Sequence, residues 1–159
     1  MEGMTDIERL VALEDIKVLK ARRDQAIDTK NWDLYHSLHA EDHISHHADE
    51  GYSQWIGPDK MIEGVKASLK GKRSSHHSHT PDITFESPTK ANAIWGMEDL
   101  IFDEETLELL LHGFGFYHES CEKRDGEWKF TYRQLRRTFV LRYTDGQSPP
   151  GVRPATQRS

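Results

Sequence analysis

The chain has 159 residues, of which 30% are charged and 35% hydrophobic, and its formal net charge is −6. These values are typical of one globular domain, and the acidic balance argues against nucleic acid as the main partner, because phosphate binding requires a basic surface. No segment has the apolar length of a membrane span, the first residues lack the pattern of a signal peptide, and the single cysteine excludes an intrachain disulfide. We therefore expect a cytoplasmic protein with no membrane partner.

Helical periodicity dominates the first half of the chain. Thr5 and Glu8 have the spacing of a capping box, and apolar residues then recur at roughly helical spacing as far as Asp28. The sequence therefore predicts a first helix that ends near Asp28. Three further elements are predicted before residue 73: a short helix around 32–38, a strand at 42–48, and a helix that opens at Gly57-Pro58 and ends at 70–72.

From Asp82 onward the apolar period changes to two, which is typical of strands. Four antiparallel strands are predicted, at 82–87, 91–102, 107–122 and 127–142. Asp125-Gly126 indicates a tight hairpin between the last two. Helices followed by long strands predict one α+β domain over 5–143, a cone in which the helices pack on one side of a strongly curved, mostly antiparallel sheet and enclose a pocket. Residues 144–159 have the composition of a tail.

Three histidines, His76, His77 and His79, stand where a polar loop is expected to meet the strand that begins at Asp82. Imidazole exchanges a proton near neutral pH, so one of the three is a candidate general base. A solvated loop and a metal site are the alternatives. Zinc or iron would need further ligands, for which four other histidines are available: His43, His46, His47 and His112. No recognised metal-ligand spacing falls on a predicted element, so a metal ranks below the base.

Asp28 lies within the stretch QAIDTKNWD. It is either an exposed carboxylate that helps to cap the next helix or a buried acid that orients an imidazole. Arg23 lies five positions earlier, on a neighbouring part of the helix surface, where an arginine usually extends into water. The residues by themselves leave both interpretations of Asp28 open.

Asp99 shares one side of its predicted strand with Trp95 and Met97. In such an apolar neighbourhood a carboxylate needs a partner or a proton, which makes Asp99 a candidate site residue. Arg133 and Arg137 share one side of the last strand, and an inward arginine there is the obvious partner for Asp99 or for a substrate oxygen. Strict alternation places the aromatic residues at the start of that strand on the opposite side. Either both faces of the sheet are therefore covered, by the helices and by a neighbouring subunit, or a bulge shifts the register.

Three stretches resemble the SnoaL-like, scytalone-dehydratase-like branch of the nuclear transport factor 2-like superfamily: QAIDTKNWD, HHSHTPDITF running on to WGMEDLIF, and EKRDGEWKFTYRQLRR. The resemblance covers nearly all of residues 5–143, and among the members it is strongest to bacterial bile-acid 7α-dehydratase. It implies the same α+β cone, commonly assembled as a trimer, so a homo-oligomer is expected.

The resemblance implies that Asp28 and His76 form the family's aspartate–histidine pair, which singles out the first histidine of the cluster. The supporting acid and cations that it implies are Arg23, Asp99, Arg133 and Arg137. A strand tyrosine of the dehydratases falls on His47, so scytalone itself is not the implied substrate.

The expected function is a lyase that needs no cofactor and acts on a small molecule. Asp28 fixes the tautomer of His76, whose other nitrogen removes an acidic C–H proton, and the arginines stabilise the developing oxyanion or the leaving group. Asp99 either donates to a departing hydroxyl, if its pKa is raised, or holds an arginine. Four residues are predicted to bind a polycyclic or aromatic-like hydroxy-ketone: His47, Trp55, Trp95 and Met97. An isomerase, cyclase or dehydrohalogenase with the same pair, and a non-catalytic binder or assembly protein of the same fold, remain alternatives.

Overall fold

Three helices and six strands make up the part of the chain that this computed structural model describes, residues 3–46 and 54–143. In chain order they are α1 (Asp6–Asp28), α2 (Trp32–Ser37), β1 (His39–His46), β2 (Trp55–Ile56), α3 (Pro58–Ser68), β3 (Lys72–Ser87), β4 (Lys90–Asp103), β5 (Leu109–Arg124) and β6 (Glu127–Arg142). Position 47, position 48 and the predicted tail at 144–159 lie outside the described residues.

Helix α1 begins and ends where the sequence predicts. The hydroxyl of Thr5 accepts the backbone N–H of Glu8, and the Glu8 carboxylate accepts the backbone N–H of Thr5, so the capping box is confirmed. Its inner face buries Ile16 and Leu19 against the sheet. Farther along the helix, Ile27 joins a second apolar cluster beneath α3. The helix therefore bridges two cores, and its last residues lie between them.

The six strands form one sheet in the order β2-β1-β6-β5-β4-β3. Neighbouring strands are antiparallel except for β1 and β6, which are parallel. Helix α1 packs across β3 and β6, and α3 lies against β1 and β2. The predicted α+β cone, with helices on one side of a curved and mostly antiparallel sheet, is confirmed. No helix within these residues has both the length and the apolar character that crossing a bilayer requires.

Strand β3 is longer than the sequence predicts. It begins at Lys72, ten residues before Asp82, so His76 lies inside a strand and not at a loop-to-strand junction. Serine and histidine occupy both sides of this first half of the strand, so its period of two carries no hydrophobic signal. The short strand β2, which was not predicted, pairs with β1.

Two bulges in β6 resolve the parity of the last strand. Cys121 of β5 pairs with Phe130 whereas Ser120 pairs with Tyr132, so one residue of β6 is extra at this point. As a result Phe130, before the bulge, and Arg133, after it, are both buried. A second shift, between the partners of Phe114 and Gly115, follows nearer the end of the strand. The bulge alternative is therefore confirmed.

The hairpin between β5 and β6 turns where the sequence indicates. Asp125 has φ 51° and Gly126 has φ 84°, which is the positive-φ pair that a tight two-residue turn requires. This turn fixes the pairing of the two strands at Arg124 and Glu127, and the bulges then adjust it along β6.

Candidate active site

The last residue of α1 and the first half of β3 meet in a half-buried acid–imidazole pair. Nδ1 of His76 lies 2.7 Å from Oδ1 of Asp28, and the backbone N–H of His76 donates to Oδ2 at 2.8 Å. The hydroxyl of Ser74 also donates to Oδ1, at 2.8 Å. Because an ionised carboxylate only accepts, Nδ1 must carry the proton, and the second ring nitrogen, Nε2, is left with its lone pair. Three hydrogen bonds thus fix the carboxylate, and the carboxylate fixes the tautomer.

The imidazole of His76 lines a cavity of about 570 Å³ between α1, α3 and the sheet. Its side chain is 8% exposed, against 24% for Asp28, so the acid lies at the solvent side of the pair and the ring reaches inward. Much of the wall is aliphatic and consists of Ile27, Val65, Leu69, Ile101, Leu111 and Leu135. A base in a partly apolar cavity of this size is the arrangement of a small-molecule site.

Asp99 and Arg137 form a bidentate ion pair on the cavity wall, with N–O distances of 2.9 and 2.8 Å. Burial by itself raises the pKa of Asp99, but the hydrogen bonds and charge of Arg137 outweigh it, and the pKa lies below its usual value. Asp99 is therefore a carboxylate near neutral pH. Of the two expected roles, the hydrogen bonds from Arg137 fit that of holding an arginine, and the lowered pKa does not favour donation to a departing hydroxyl.

Gly113 of β5 makes this ion pair possible. It lies opposite Asp99 in the β4–β5 pairing, and a Cβ atom at this position would overlap Oδ1 of Asp99 and Nη1 of Arg137. The absence of a side chain therefore leaves room for the guanidinium to reach the carboxylate.

Arg133 differs from Arg137 although both line the cavity. Its side chain is 7% exposed, and its guanidinium lies 4.5 Å from the centre of the Tyr117 ring. The nearest carboxylate oxygen, on Glu119, is 3.8 Å from Nε, beyond hydrogen-bond distance. We find no hydrogen bond to Arg133 in the described part of the chain, and Nε is buried without a partner. Arg133 is therefore a buried cation of the cavity wall whose nearest carboxylate among the described residues is beyond hydrogen-bond distance, whereas Arg137 is held by Asp99.

Arg23 is fully buried, which corrects the expectation that it extends into water. It donates to Asp24 at 3.0 Å and to the hydroxyl of Tyr35 at 3.1 Å, and it lies behind the cavity rather than on its wall. Its guanidinium is 5.3 Å from the centre of the Tyr117 ring. Arg23 therefore contacts Tyr117, a residue of the cavity wall, but does not line the cavity itself.

A buried ion pair next to these groups was not predicted from the sequence. Nζ of Lys20 lies 2.7 Å from Glu119 and 4.0 Å from the centre of the Tyr117 ring. Burial lowers the pKa of Lys20 to about 8, although Glu119 opposes this shift. Tyr117 itself lines the cavity with a hydroxyl that has no hydrogen-bond partner among the described residues, and burial raises its pKa. The sequence did contain a sign that Lys20 is buried, because Lys20 follows Ile16 by one helical turn and so lies on the same face of α1.

The residues predicted to bind substrate lie elsewhere. Trp95 and Met97 are buried in the core between α1 and the sheet, and Trp95 borders a separate cavity of about 260 Å³. Trp55 packs against Gly64 of α3, where a Cβ atom would overlap its ring. None of the three lines the cavity of His76, because the aliphatic residues of α3 and β5 take that place. His47 lies outside the described residues.

The other histidines do not join His76. His77 and His79 are exposed, and His79 faces Glu98, which also contacts His112. His43 is buried, and its Nδ1 lies 3.2 Å from the carbonyl oxygen of Phe130. Within 3–46 and 54–143, no group of three or more histidine, cysteine, aspartate or glutamate side chains is placed to hold a metal ion.

Fold and site together define an α+β cone protein with a half-buried aspartate–histidine pair, whose imidazole lines a cavity between the helices and the sheet. The model of the SnoaL-like domain matches residues 8–134, so the chain belongs to the SnoaL-like family, within the nuclear transport factor 2-like superfamily.

Solved structures of similar fold cover nearly the whole chain. One is a protein of Novosphingobium aromaticivorans DSM 12444 assigned as a scytalone dehydratase, with 22% identity, a TM-score of 0.79, and coverage of 91% of this chain and 100% of that chain. Another is a type 2 hexachlorocyclohexane dehydrochlorinase, with 21% identity, a TM-score of 0.78, and coverage of 93% and 100%. A third is a type 3 dehydrochlorinase from Novosphingobium barchaimii LL02, with 21% identity, a TM-score of 0.78, and coverage of 92% and 99%. At these identities the likeness establishes the fold.

Proposed function

We propose that the protein is a cofactor-independent lyase that eliminates water from a hydroxy-ketone, with His76 as the general base. The contact that carries this proposal is the 2.7 Å hydrogen bond between Asp28 and His76 on the wall of the cavity. The names of the similar structures support it, because a dehydratase and a dehydrochlorinase both carry out eliminations.

The reaction begins with removal of a C–H proton next to the ketone by Nε2 of His76. The imidazolium that forms is stabilised through Nδ1–H by Asp28, whose orientation Ser74 and the His76 backbone maintain. The C–H electron pair becomes a carbon–carbon double bond as the hydroxyl leaves the adjacent carbon. A well-placed base typically contributes about 10²–10⁴ to the rate.

Negative charge develops on the carbonyl oxygen as the proton leaves. Arg133 is suited to stabilise it, because its guanidinium lines the cavity and donates to no protein group among the described residues. Arg137 is less available, since both of its terminal nitrogens donate to Asp99. We therefore propose that Arg133 stabilises the oxyanion and that the Asp99–Arg137 ion pair shapes the cavity wall.

The departing hydroxyl needs a proton, and Asp99 is a carboxylate that has none to give. The imidazolium of His76 carries the proton taken from the substrate and can return it from Nε2 to the leaving oxygen. Water then leaves, and His76 regains its starting tautomer. This sequence requires the C–H and the hydroxyl on the same side of the substrate, so we expect a syn elimination.

Replacing the base tests the proposal. A panel of polycyclic and aromatic-like hydroxy-ketones is followed by ultraviolet absorbance, which rises as the new double bond conjugates with the ketone. On a confirmed substrate, His76→Ala is expected to lower kcat/KM by at least about 10²-fold. Asp28→Asn should also be severely impaired, because an amide nitrogen donates where the carboxylate accepts and so favours the wrong tautomer. The matched control is His77→Ala, an exposed neighbour on the same strand, which should stay within about threefold of the wild type.

Full activity in both the His76→Ala and Asp28→Asn proteins would remove the assignment. Halide release from a chlorinated substrate, without activity on any hydroxy-ketone, would keep the base but replace the dehydratase by a dehydrohalogenase. Isomerised or cyclised product without loss of water would change the reaction class in the same way.

We further propose that the chain forms a homo-oligomer, with a trimer favoured, as the family resemblance implies. The outer face of the sheet supports this, because Phe116, Phe139 and Leu141 are exposed there and Phe114 stacks on Phe139. Light scattering coupled to size exclusion measures the mass directly. A monomeric mass at micromolar concentration would contradict the proposal.

A further inference from the structure

The cavity wall is cationic although the protein is acidic. Among the residues that the structure describes, four basic side chains line it, Lys72, Arg133, Arg137 and Arg142, together with one carboxylate, Asp99. Over the whole chain the balance is reversed, with 21 lysines and arginines against 27 aspartates and glutamates. The excess of positive charge is therefore a property of this cavity and not of the composition.

Pairing inside the protein leaves much of this charge uncompensated. Arg137 and Asp99 neutralise each other through two hydrogen bonds. Glu119 lies 2.7 Å from Lys20 and 3.8 Å from Arg133, so it is engaged by the lysine first. A buried cation without a close counter-charge is costly, and a bound anion offsets that cost.

The remaining two cations of the wall, Arg142 and Lys72, are more exposed than Arg133. Arg142, near the end of β6, is exposed, and it has no hydrogen bond or ion pair within 3–46 and 54–143. Lys72, at the start of β3, donates to the carbonyl oxygen of Ser68 at 3.0 Å and has no carboxylate partner in the same part of the chain. These two basic side chains, from β3 and β6, thus have no carboxylate partner among the described residues and can meet a charged group that projects from the cavity.

We infer that the substrate is an organic anion, whose apolar skeleton occupies the aliphatic part of the cavity and whose oxyanion is held by Lys72 and Arg142. The inference rests on the proposed function only in taking this cavity as the substrate site. The permanent anion lies beside these two more exposed cations, and the more buried Arg133 remains for the carbonyl oxygen at the reacting centre. A carboxylate on the skeleton and a phosphate on an attached carrier share this chemistry.

A pair of fluorescent probes isolates the charge. Anilinonaphthalene sulfonate and N-phenyl-1-naphthylamine have the same ring system, and only the first carries an anion. We expect the wild-type protein to bind the sulfonate at least tenfold more tightly at low ionic strength, and the preference to shrink in 0.5 M salt because exposed charges are screened.

Replacing Arg142 tests whether the anion binds beside this residue. Arg142→Gln is expected to raise the Kd of the sulfonate about three- to fivefold and to leave the Kd of the neutral probe within twofold. The matched control is Arg136→Gln, which removes the same charge from an exposed position of the same strand that does not line the cavity. This control should move neither Kd by more than twofold.

Competition distinguishes the two sources of the oxyanion. Displacement of the sulfonate by 2-naphthoate supports a carboxylate, displacement by 2-naphthyl phosphate alone supports a phosphate-bearing carrier, and 2-naphthol should compete poorly in either case. Equal affinity for the two probes, an equal effect of Arg136→Gln and Arg142→Gln, or displacement by 2-naphthol as readily as by the acids would overturn the inference.

The probes report on binding in the absence of turnover, so the two proposals fail separately. The measurements are repeated in the Asp28→Asn protein, where the anion preference should persist. Activity that survives Asp28→Asn and His76→Ala contradicts the lyase assignment and leaves the anion preference intact. Absence of that preference, with activity lost in both variants, leaves a lyase for neutral substrates.

Discussion

Acid should weaken the fold through His43, a histidine of β1 that is buried in the core. Its Nδ1 contacts the carbonyl oxygen of Phe130 at 3.2 Å, and its Nε2 has no hydrogen-bond partner within 3–46 and 54–143. Burial, together with the charge of Arg133, lowers the pKa of His43 to about 3. The ring of His39 lies 4.7 Å away, and burial likewise lowers its pKa. Both rings are therefore neutral in the folded protein over the range in which an unfolded chain becomes protonated.

The magnitude follows from proton linkage. A histidine in the unfolded chain has a pKa near 6.5, whereas folded His43 takes up its proton only near pH 3. Between these values the unfolded state binds the extra proton, so the free energy of unfolding falls by about 1.4 kcal/mol per pH unit as the pH decreases. The contribution of His43 is fully present above pH 6.5, and about 2 kcal/mol of it is lost by pH 5. A domain typically has a total stability of about 5–15 kcal/mol, so the loss is measurable.

The assay is urea unfolding at pH 7.5, 6.5, 5.5 and 5.0, at one protein concentration, for the wild type and His43→Leu. Carboxylates titrate in both proteins, so the difference between them isolates His43. The advantage of the wild type over the variant should shrink by about 2 kcal/mol between pH 7.5 and pH 5. Exposed His77, replaced in the same way, should show a constant difference. A constant difference for His43→Leu as well would refute the reasoning.

Two further predictions concern the buried charges. Gly113→Ala places a Cβ atom against both members of the Asp99–Arg137 pair, so we expect the pair to separate. As a result kcat/KM should fall at least tenfold in the ultraviolet absorbance assay. The control is Gly96→Ala, where a Cβ has ordinary contacts, and an unchanged rate in the Gly113 variant would contradict the prediction. Glu119→Gln leaves the buried ammonium beside it without its counter-charge, so the free energy of unfolding from urea titration should fall by about 3–5 kcal/mol. A loss below about 1 kcal/mol would show that this ion pair does not contribute as proposed.

Much of the fold follows from local pattern. The capping box at Thr5 sets the start of α1, and the apolar period carries the helix to Asp28. Asp125-Gly126 sets the β5–β6 turn, because few residue pairs accept two positive φ values. These features depend on neighbours a few positions apart, so the order of residues is enough to predict them. The family resemblance adds one long-range prediction that local patterns cannot make, the pairing of Asp28 with His76.

The interior of the site was harder to predict. Arg23 is an ordinary surface residue by helical position, and its burial depends on Tyr35 and Tyr117, which other elements bring to it. Trp95 and Met97 share a face with Asp99, as expected, yet they lie in the core between α1 and the sheet while Asp99 lines the cavity. Alternation assigns a residue to a face of the sheet, but the position of the covering helix decides whether that stretch of the face is core or cavity.

By itself the sequence determined most of the elements, their order and the α+β class, because capping, turn geometry and hydrophobic period are properties of the linear chain. The pairing of Asp28 with His76 was implied by the family resemblance. Only the tertiary structure decided that a bulge brings Arg133 inward, that Asp99 is committed to Arg137, and that the wall of the cavity is cationic. These outcomes depend on strand register and on the burial of charges contributed by distant segments. Register and burial are fixed only when the sheet closes against the helices.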